Sequence, residues 1–271
     1  MCQTTFALMF TLLRNLHRLL ILVSLVAGAT ADDRWAPNAV AGPVNQLDIA
    51  GNACGPAALL TSFRCGDKSW TEVATAIPGS SDKAKLLYII RAHGLRPSTS
   101  LKDRKRWTRE GVNVEDLNSI AGELSALAAK PSPKLESLLR TGRESPEKLV
   151  GRVHSRMRNS LKNGFPPVIS LRRYVFRKGQ WQALQTHFVT IVRVPDRIPR
   201  RTSNFDFTYF DPWGGKKETG WFLIPTKPLL APPSESSPCL ETNVPKANIG
   251  KAKVHRGERT AVVPTFLIGR W

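Results

Sequence analysis

The chain has 271 residues, enough for one large domain or two small ones, and 41% of them are apolar. This composition excludes an intrinsically disordered chain and a polytopic membrane protein. Forty Lys and Arg residues against 21 Asp and Glu give a formal net charge of +19, which attracts anionic partners such as nucleic acid, acidic glycans, anionic lipid or an acidic protein.

Residues 1–31 have the pattern of a secretory signal peptide. A basic flank precedes an apolar run over residues 19–29, and small residues suited to cleavage lie just before Asp32, the first acidic residue. We therefore expect export to the periplasm, the cell surface or the medium, with no stable membrane span after cleavage. An uncleaved anchor is the alternative, and Met9 is a second candidate start because it gives a shorter basic leader.

Helices dominate the first half of the remaining chain. Pro56 near the start and Gly66 just past the end delimit the first helix in the usual way. Ser69 and Ser81 are the expected caps of the second and third helices. The predicted helices cover residues 57–63, 70–77, 82–93, 114–129 and 147–163.

Residues 95–146 are a basic insertion, longer than a minimal domain requires, in which residues 130–146 are predicted to be an exposed excursion. Five of the eight residues over 102–109 are basic, and Trp107 lies among them. Such a cluster can bind single-stranded nucleic acid or an acidic polymer. No nucleic-acid-binding pattern accompanies it, so we favour a solvated cationic face, with an anionic polymer as a secondary partner and no specific nucleic acid.

The second half changes to short β-rich runs bounded by Gly, Pro and Asn. Strands are predicted over residues 167–175, 187–194, 205–210, 221–224 and 262–268. Residues 225–253 are predicted to be a Pro/Ser-rich loop. Helices followed by a mostly antiparallel sheet is the order of an α+β fold, and we predict a single such domain over residues 32–271.

Cys54 is the first residue that indicates chemistry. It lies at the start of the first helix, where unpaired N–H groups and the positive end of the helix dipole favour thiolate over thiol. Signal cleavage would leave three cysteines, so at least one has no partner within the chain. A buried structural cysteine at a helix start is the alternative interpretation.

A nucleophilic thiolate needs a base, and the base needs a group that orients it. His187 is predicted to open one strand, and Asp211 to end the next. Neighbouring antiparallel strands place the start of one beside the end of the other, so we expect these side chains to meet. Each is more often structural when it occurs alone, and the expectation depends on their joint occurrence with Cys54.

Segments around these three residues resemble the papain-like cysteine peptidases, in particular the branch of double-glycine leader peptidases that process bacteriocins. They are N-A-C-G-P-A-A-L around Cys54, H-F-V-T-I from His187 and F-D-P-W around Asp211, with G-F-P-P-V-I-S-L from Gly164 similar to the strand ahead of the family's catalytic His. The resemblance covers residues 45–224. It implies a papain-like fold in which a helical N-terminal half packs on the sheet, with Cys54 as nucleophile, His187 as base and Asp211 as its orienting group.

The family also places a Gln ahead of the nucleophile, where its side-chain N–H joins the backbone N–H of the Cys in an oxyanion hole. Gln46 is the matching candidate in this chain. It lies eight residues before Cys54, a slightly longer gap than the resemblance implies, so Asn45 and Asn52 stay alternative donors.

The other two thiols are Cys65 and Cys239. Cys65 lies about three helical turns from Cys54, roughly 16 Å along the predicted helix, which is too far for a disulfide. A Cys65–Cys239 bond is the pairing within the chain that leaves Cys54 free, and it stays an open alternative.

No His spacing typical of a metal site and no P-loop motif occurs in the sequence, so neither metal nor cofactor is expected. The sequence predicts an exported thiol hydrolase, in the first instance a cysteine peptidase that acts on a peptide or protein through an acyl-enzyme. One alternative is an inactive binding protein of the same fold, whose cationic surface binds envelope polymers or anionic partners. The other is a transglutaminase-like acyl transferase, in which an amine replaces water.

Overall fold

Five helices and ten strands occur in residues 32–232 and 234–271, the part of the chain that the computed structural model describes. The helices are α1 Cys54–Cys65, α2 Lys68–Ala76, α3 Asp82–Tyr88, α4 Val114–Ala126 and α5 Pro146–Lys162. The strands are β1 Asp33–Trp35, β2 Trp107–Thr108, β3 Gly111–Val112, β4 Lys134–Ser137, β5 Val168–Arg177, β6 Gln180–Pro195, β7 Asn204–Asp211, β8 Lys216–Leu223, β9 Glu241–Asn243 and β10 Thr260–Gly269. The predicted signal peptide, residues 1–31, lies outside the described residues.

Eight of the strands form one sheet in the order β4-β10-β5-β6-β7-β8-β9, with β1 paired to the end of β6. Every pairing in this sheet is antiparallel, and β2 and β3 form a separate small hairpin. Asp33–Trp271 form one compact unit. The prediction of an α+β fold with a mostly antiparallel sheet is confirmed.

Helices cover both faces of the sheet because its central strands alternate between two cores. Val168 and Phe188 pack with α1, α2 and α4. Their neighbours Ile169 and Val189 pack with α5 on the opposite face. The helix that carries Cys54 is therefore held on one defined side of the sheet.

The helix α1 is buried along its length. All of its residues except Arg64 are buried, as expected for a helix that is apolar all round. The hydroxyl of Thr190 in β6 donates to the carbonyl of Ala58 at 2.7 Å, and the hydroxyl of Ser62 donates to the carbonyl of Pro166. These contacts fix the helix on the sheet and hence fix the position of its first residue, Cys54.

The strand β6 begins earlier than predicted. A two-residue turn joins β5 to β6, and both of its residues, Lys178 and Gly179, have positive φ angles of 50° and 78°, as a type I′ turn requires. His187 consequently lies in the middle of β6, and the prediction that it opens a strand is wrong. Asp211 ends β7 as predicted.

The predicted cap of the second helix is also wrong, whereas that of the third is confirmed. The helix α2 begins at Lys68, so the residue before it, Asp67, is the cap. Its carboxylate accepts the N–H of Trp70 at 3.2 Å. Ser81 caps α3, which continues as a π-type turn over Ile89–Gly94.

Two segments predicted as irregular contain short edge strands next to buried residues. Residues 130–146 contribute β4, which pairs with β10, and Leu138 directly after it is fully buried. Residues 225–253 contribute β9, which pairs with β8, and Leu240 before it is fully buried. Both strands are only three or four residues long, too short for alternation to show against their Pro-rich surroundings.

The alternative of a Cys65–Cys239 disulfide is wrong, because both thiols are free. They lie in different core clusters, with the sulfur of Cys65 3.6 Å from the carbonyl of Gly42 and that of Cys239 3.9 Å from the carbonyl of Leu229. Burial raises the pKa of each thiol to about 12. Neither is therefore reactive at neutral pH.

Thiol counting tests this arrangement. In the folded protein, iodoacetamide at neutral pH should modify Cys54 and spare Cys65 and Cys239, whereas unfolding without reductant should expose all three to alkylation. Peptide mass mapping before and after unfolding gives the count. A disulfide between Cys65 and Cys239 would instead leave both unmodified in the unfolded, unreduced chain.

Candidate active site

Cys54 is the first residue of α1, and its sulfur lies at the helix N-terminus. The capping residue, Ala53, offers no side-chain hydrogen bond to the first turn. Two backbone N–H groups instead act on the sulfur, that of Gly55 from the helix and that of Phe188 from β6. Cys54 is 9% exposed, so a thiolate there is stabilised by the protein rather than by bulk water.

The β2–β3 hairpin packs directly against the nucleophile. A Cβ at Gly55 would lie 2.4 Å from Cγ1 of Val112, so only glycine allows β3 to come this close. Asn52, two residues before the sulfur, donates both amide hydrogens to the hairpin, to the carbonyls of Thr108 at 2.9 Å and Arg109 at 3.0 Å. The hairpin is thereby attached to the loop that carries Cys54.

His187 and Asp211 meet at the end of the β6–β7 pair. Nε2 of His187 lies 2.7 Å from Oδ1 of Asp211, and both residues are buried, at 2% and 3% exposure. The N–H of Trp213 donates to the same oxygen at 2.8 Å. Because Asp211 occupies Nε2, the other ring nitrogen, Nδ1, is the one left for Cys54.

The ionisation of Cys54 and His187 is coupled. Burial by itself raises the pKa of Cys54, but the hydrogen bond and charge of His187, with the two backbone N–H groups, outweigh it, so the pKa is lowered. Burial also opposes protonation of His187, but Asp211 and Cys54 outweigh it and raise the pKa of His187. Both directions favour a thiolate–imidazolium pair.

Gln46 is fully buried and contacts the loop that precedes Cys54. Its Nε2 donates to the carbonyl of Gly51 at 2.6 Å, and its backbone N–H donates to the carbonyl of Pro212 at 2.9 Å. Through its side chain and its backbone, Gln46 thus connects the loop before Cys54 to the segment after Asp211. One of its two amide hydrogens has no acceptor among the described residues.

The alternative donors, Asn45 and Asn52, have other partners. Both amide hydrogens of Asn52 bind the β2–β3 hairpin. Asn45 donates to Asp48 at the surface, and its oxygen accepts the N–H of Gly214 at 3.1 Å. Within the described residues, Asn52 therefore has no free amide hydrogen, whereas Asn45 and Gln46 each keep one, and of the three only Gln46 is buried.

Cys54 and His187 line an open cleft of about 750 Å³. One wall is the β2–β3 hairpin and the start of α4, residues 109–115, and the other is formed by β5 and β6. The basic insertion thus supplies a wall of the cleft, which the sequence analysis missed. The sequence signal that could have indicated this wall is Gly111, shortly before the predicted helix over residues 114–129. Its φ of +91° shows that it lies in a tight turn.

Residues 32–232 and 234–271 contain no group of three or more His, Cys, Asp and Glu side chains that could hold a metal ion. No helix in these residues is long and apolar enough to cross a membrane.

Comparisons with known proteins identify no relative: no family model, no curated protein and no solved structure matches the chain. The chemical interpretation of the cleft therefore comes from its own distances, burial and charges.

The rate of alkylation of Cys54 reports its pKa, because only the thiolate reacts. With its pKa lowered, Cys54 should react with iodoacetamide at pH 6 faster than a model cysteine peptide, and the rate should fall only as the thiolate protonates at more acid pH. His187→Gln removes the main lowering influence, so the inflection should move to higher pH by about one unit or more, roughly a tenfold loss of rate at pH 6.

His154→Gln is the matched control for this measurement. His154 is buried on α5, on the opposite face of the sheet, where its Nε2 lies 2.7 Å from the carbonyl of Pro195. This variant should leave the pH profile of Cys54 unchanged. Equal profiles for His187→Gln and the native protein would show that the imidazole does not act on the sulfur.

Proposed function

We propose that the chain is an exported cysteine peptidase of papain-like fold with a Cys54–His187–Asp211 triad. The observation that carries this proposal is that Cys54 and His187 line one cleft and Asp211 binds the His187 ring, with the pKa of Cys54 lowered and that of His187 raised. Export is proposed from the signal-peptide pattern of residues 1–31. Neither of the other thiols is suited to the same role, since burial keeps both protonated.

The first half of the reaction makes an acyl-enzyme. The Cys54 thiolate attacks the carbonyl carbon of the scissile bond, a C–S bond forms, and the carbonyl electron pair moves to the oxygen. The backbone N–H of Cys54 and the free amide hydrogen of Gln46 stabilise this oxyanion. The C–N bond then breaks as His187 gives its proton to the departing amine, which leaves a thioester on Cys54.

Water completes the cycle. Neutral His187 removes a proton from a water molecule, which attacks the thioester carbonyl, and collapse of the second oxyanion releases the carboxylic acid and restores the thiolate–imidazolium pair. Asp211 holds the imidazole in place throughout and stabilises its protonated form. The N–H of Trp213 keeps the same carboxylate oxygen oriented toward the ring.

The cleft is accessible to a peptide segment. It is neither enclosed nor flat, and the β2–β3 hairpin and strands β5 and β6 line it, so a short stretch of peptide can reach Cys54. Its volume of about 750 Å³ is within the range of ordinary ligand clefts.

Replacement of Cys54 tests the activity. The purified protein should hydrolyse an unfolded protein substrate, and Cys54→Ala should abolish cleavage. Acid quench during turnover should trap an acyl group on Cys54, which intact-mass measurement detects. Asp211→Asn should slow cleavage by about tenfold or more, because it misorients the base.

Cys239→Ala is the control, since it removes a thiol outside the cleft. Cleavage by Cys54→Ala at the native rate, or no cleavage by either protein, would contradict the peptidase proposal. The second of these results would favour the binding protein. With an added primary amine, amide products in place of free acids would identify an acyl transferase.

Replacement of Gln46 by Ala separates oxyanion stabilisation from nucleophile activation. It should lower kcat by ~100- to 1,000-fold, while iodoacetamide alkylation of Cys54 at neutral pH should keep its rate, because alkylation forms no oxyanion. An unchanged kcat would show that the donor assignment is wrong. Parallel loss of both rates would assign Gln46 to positioning of the Cys54 loop.

A further inference from the structure

Three cations line the cleft without an anionic partner. Arg109 comes from the β2–β3 hairpin, Arg172 from β5, and Lys253 from the loop before β10. None of the three forms an ion pair with a carboxylate of the described residues. Of the two acids in the cleft, Glu110 lies 3.7 Å from Arg104, and the other, Glu115, is in the first turn of α4, where the helix dipole stabilises its charge.

Arg172 is held most firmly of the three. It is half-buried, and its Nε donates to the hydroxyl of Thr186 at 3.0 Å. These two residues are paired in the sheet next to the Leu171–His187 pair, so Arg172 lies one register position from the base. Its two terminal nitrogens have no acceptor among the described residues, which leaves a preoriented guanidinium fork that matches a carboxylate.

Several half-buried arginines elsewhere in the described residues have a carboxylate partner. Arg152 binds Glu136 and Glu144, and Arg177 binds Glu258, whereas Arg173 binds a backbone carbonyl and a hydroxyl. The guanidinium of Arg172 lines the same cleft as the nucleophile and has only the Thr186 hydroxyl as a partner among the described residues. A bound anion would give it the partner it lacks.

We propose that the cleft selects peptides with a carboxylate close to the scissile bond, bound by Arg172, with Arg109 and Lys253 adding to the attraction. This inference rests on the proposed function and names its substrate class. The carboxylate can belong to an aspartate or glutamate side chain or to the C-terminus of the peptide, since both present the same two oxygens. The three cations share the cleft with Glu110 and Glu115, whose negative charges disfavour a polyanion such as nucleic acid.

Two alkylating agents of similar size but different charge test the attraction of the cleft for an anion without a substrate. Iodoacetate is anionic and iodoacetamide is neutral. The rate with iodoacetate divided by the rate with iodoacetamide at Cys54 therefore measures how strongly the cleft attracts an anion. His187 also attracts an anion, so the informative quantity is the change on substitution. Arg172→Gln should lower the ratio by about threefold or more at low salt, whereas Arg200→Gln, which removes an exposed cation outside the cleft, should leave it unchanged. An equal ratio in the native protein and Arg172→Gln would overturn the proposal.

Peptide protection identifies the source of the carboxylate. Two capped five-residue alanine peptides, one with a central glutamate and one with a central glutamine, are compared with an alanine peptide that ends in a carboxylate or an amide. We expect the glutamate peptide or the free-acid peptide to slow alkylation of Cys54 by iodoacetamide severalfold more than its neutral counterpart, and we expect Arg172→Gln to remove the difference. Equal protection by charged and neutral peptides, or stronger protection by a single-stranded oligonucleotide, would overturn the proposal.

The same peptides separate this proposal from the peptidase proposal. Charge-dependent protection without any cleavage would support carboxylate binding and contradict hydrolysis. Cleavage that is equally fast for charged and neutral peptides would support hydrolysis and contradict carboxylate selection.

Discussion

The packing of α1 against β6 is the constraint on which the candidate site depends. The helix supplies the sulfur, and the strand supplies the imidazole and, through Phe188, one N–H group that lowers the pKa of Cys54. The hydrogen bond from Thr190 to Ala58 fixes how far the helix can slide along the strand. Because the helix is buried on every side, the relative position of sulfur and ring is set by the core rather than by surface contacts.

Burial affects the charges of Cys54 and His187 in two opposite ways. It opposes charge on both Cys54 and His187, but it also removes water that would screen their attraction. The pKa directions favour a charged pair because further groups are already oriented toward it: Asp211 behind the ring and backbone N–H groups around the sulfur. Cys65 has only the charge of Arg64 to lower its pKa, and burial outweighs it and keeps the thiol neutral.

Local signals predicted the elements, and long-range packing decided the rest. Pro56 and Gly66 delimit α1 because helix termini have strong chemical preferences, and Asp211 was correctly placed at a strand end. The start of β6 was missed because its turn uses Lys178 in a left-handed conformation that lysine seldom adopts. The role of Arg172 could not be predicted, since no periodicity distinguishes a strand residue that faces a cleft from one that faces solvent.

The isolation of the three thiols has a consequence for damage and repair. Among the three described thiols, an oxidant finds Cys54 reactive, and its first product there is a sulfenic acid. Cys65 lies at the opposite end of α1 and Cys239 in another cluster, so neither of these described thiols can condense with it. Recovery of the oxidised protein therefore depends on a small external reductant that fits the cleft.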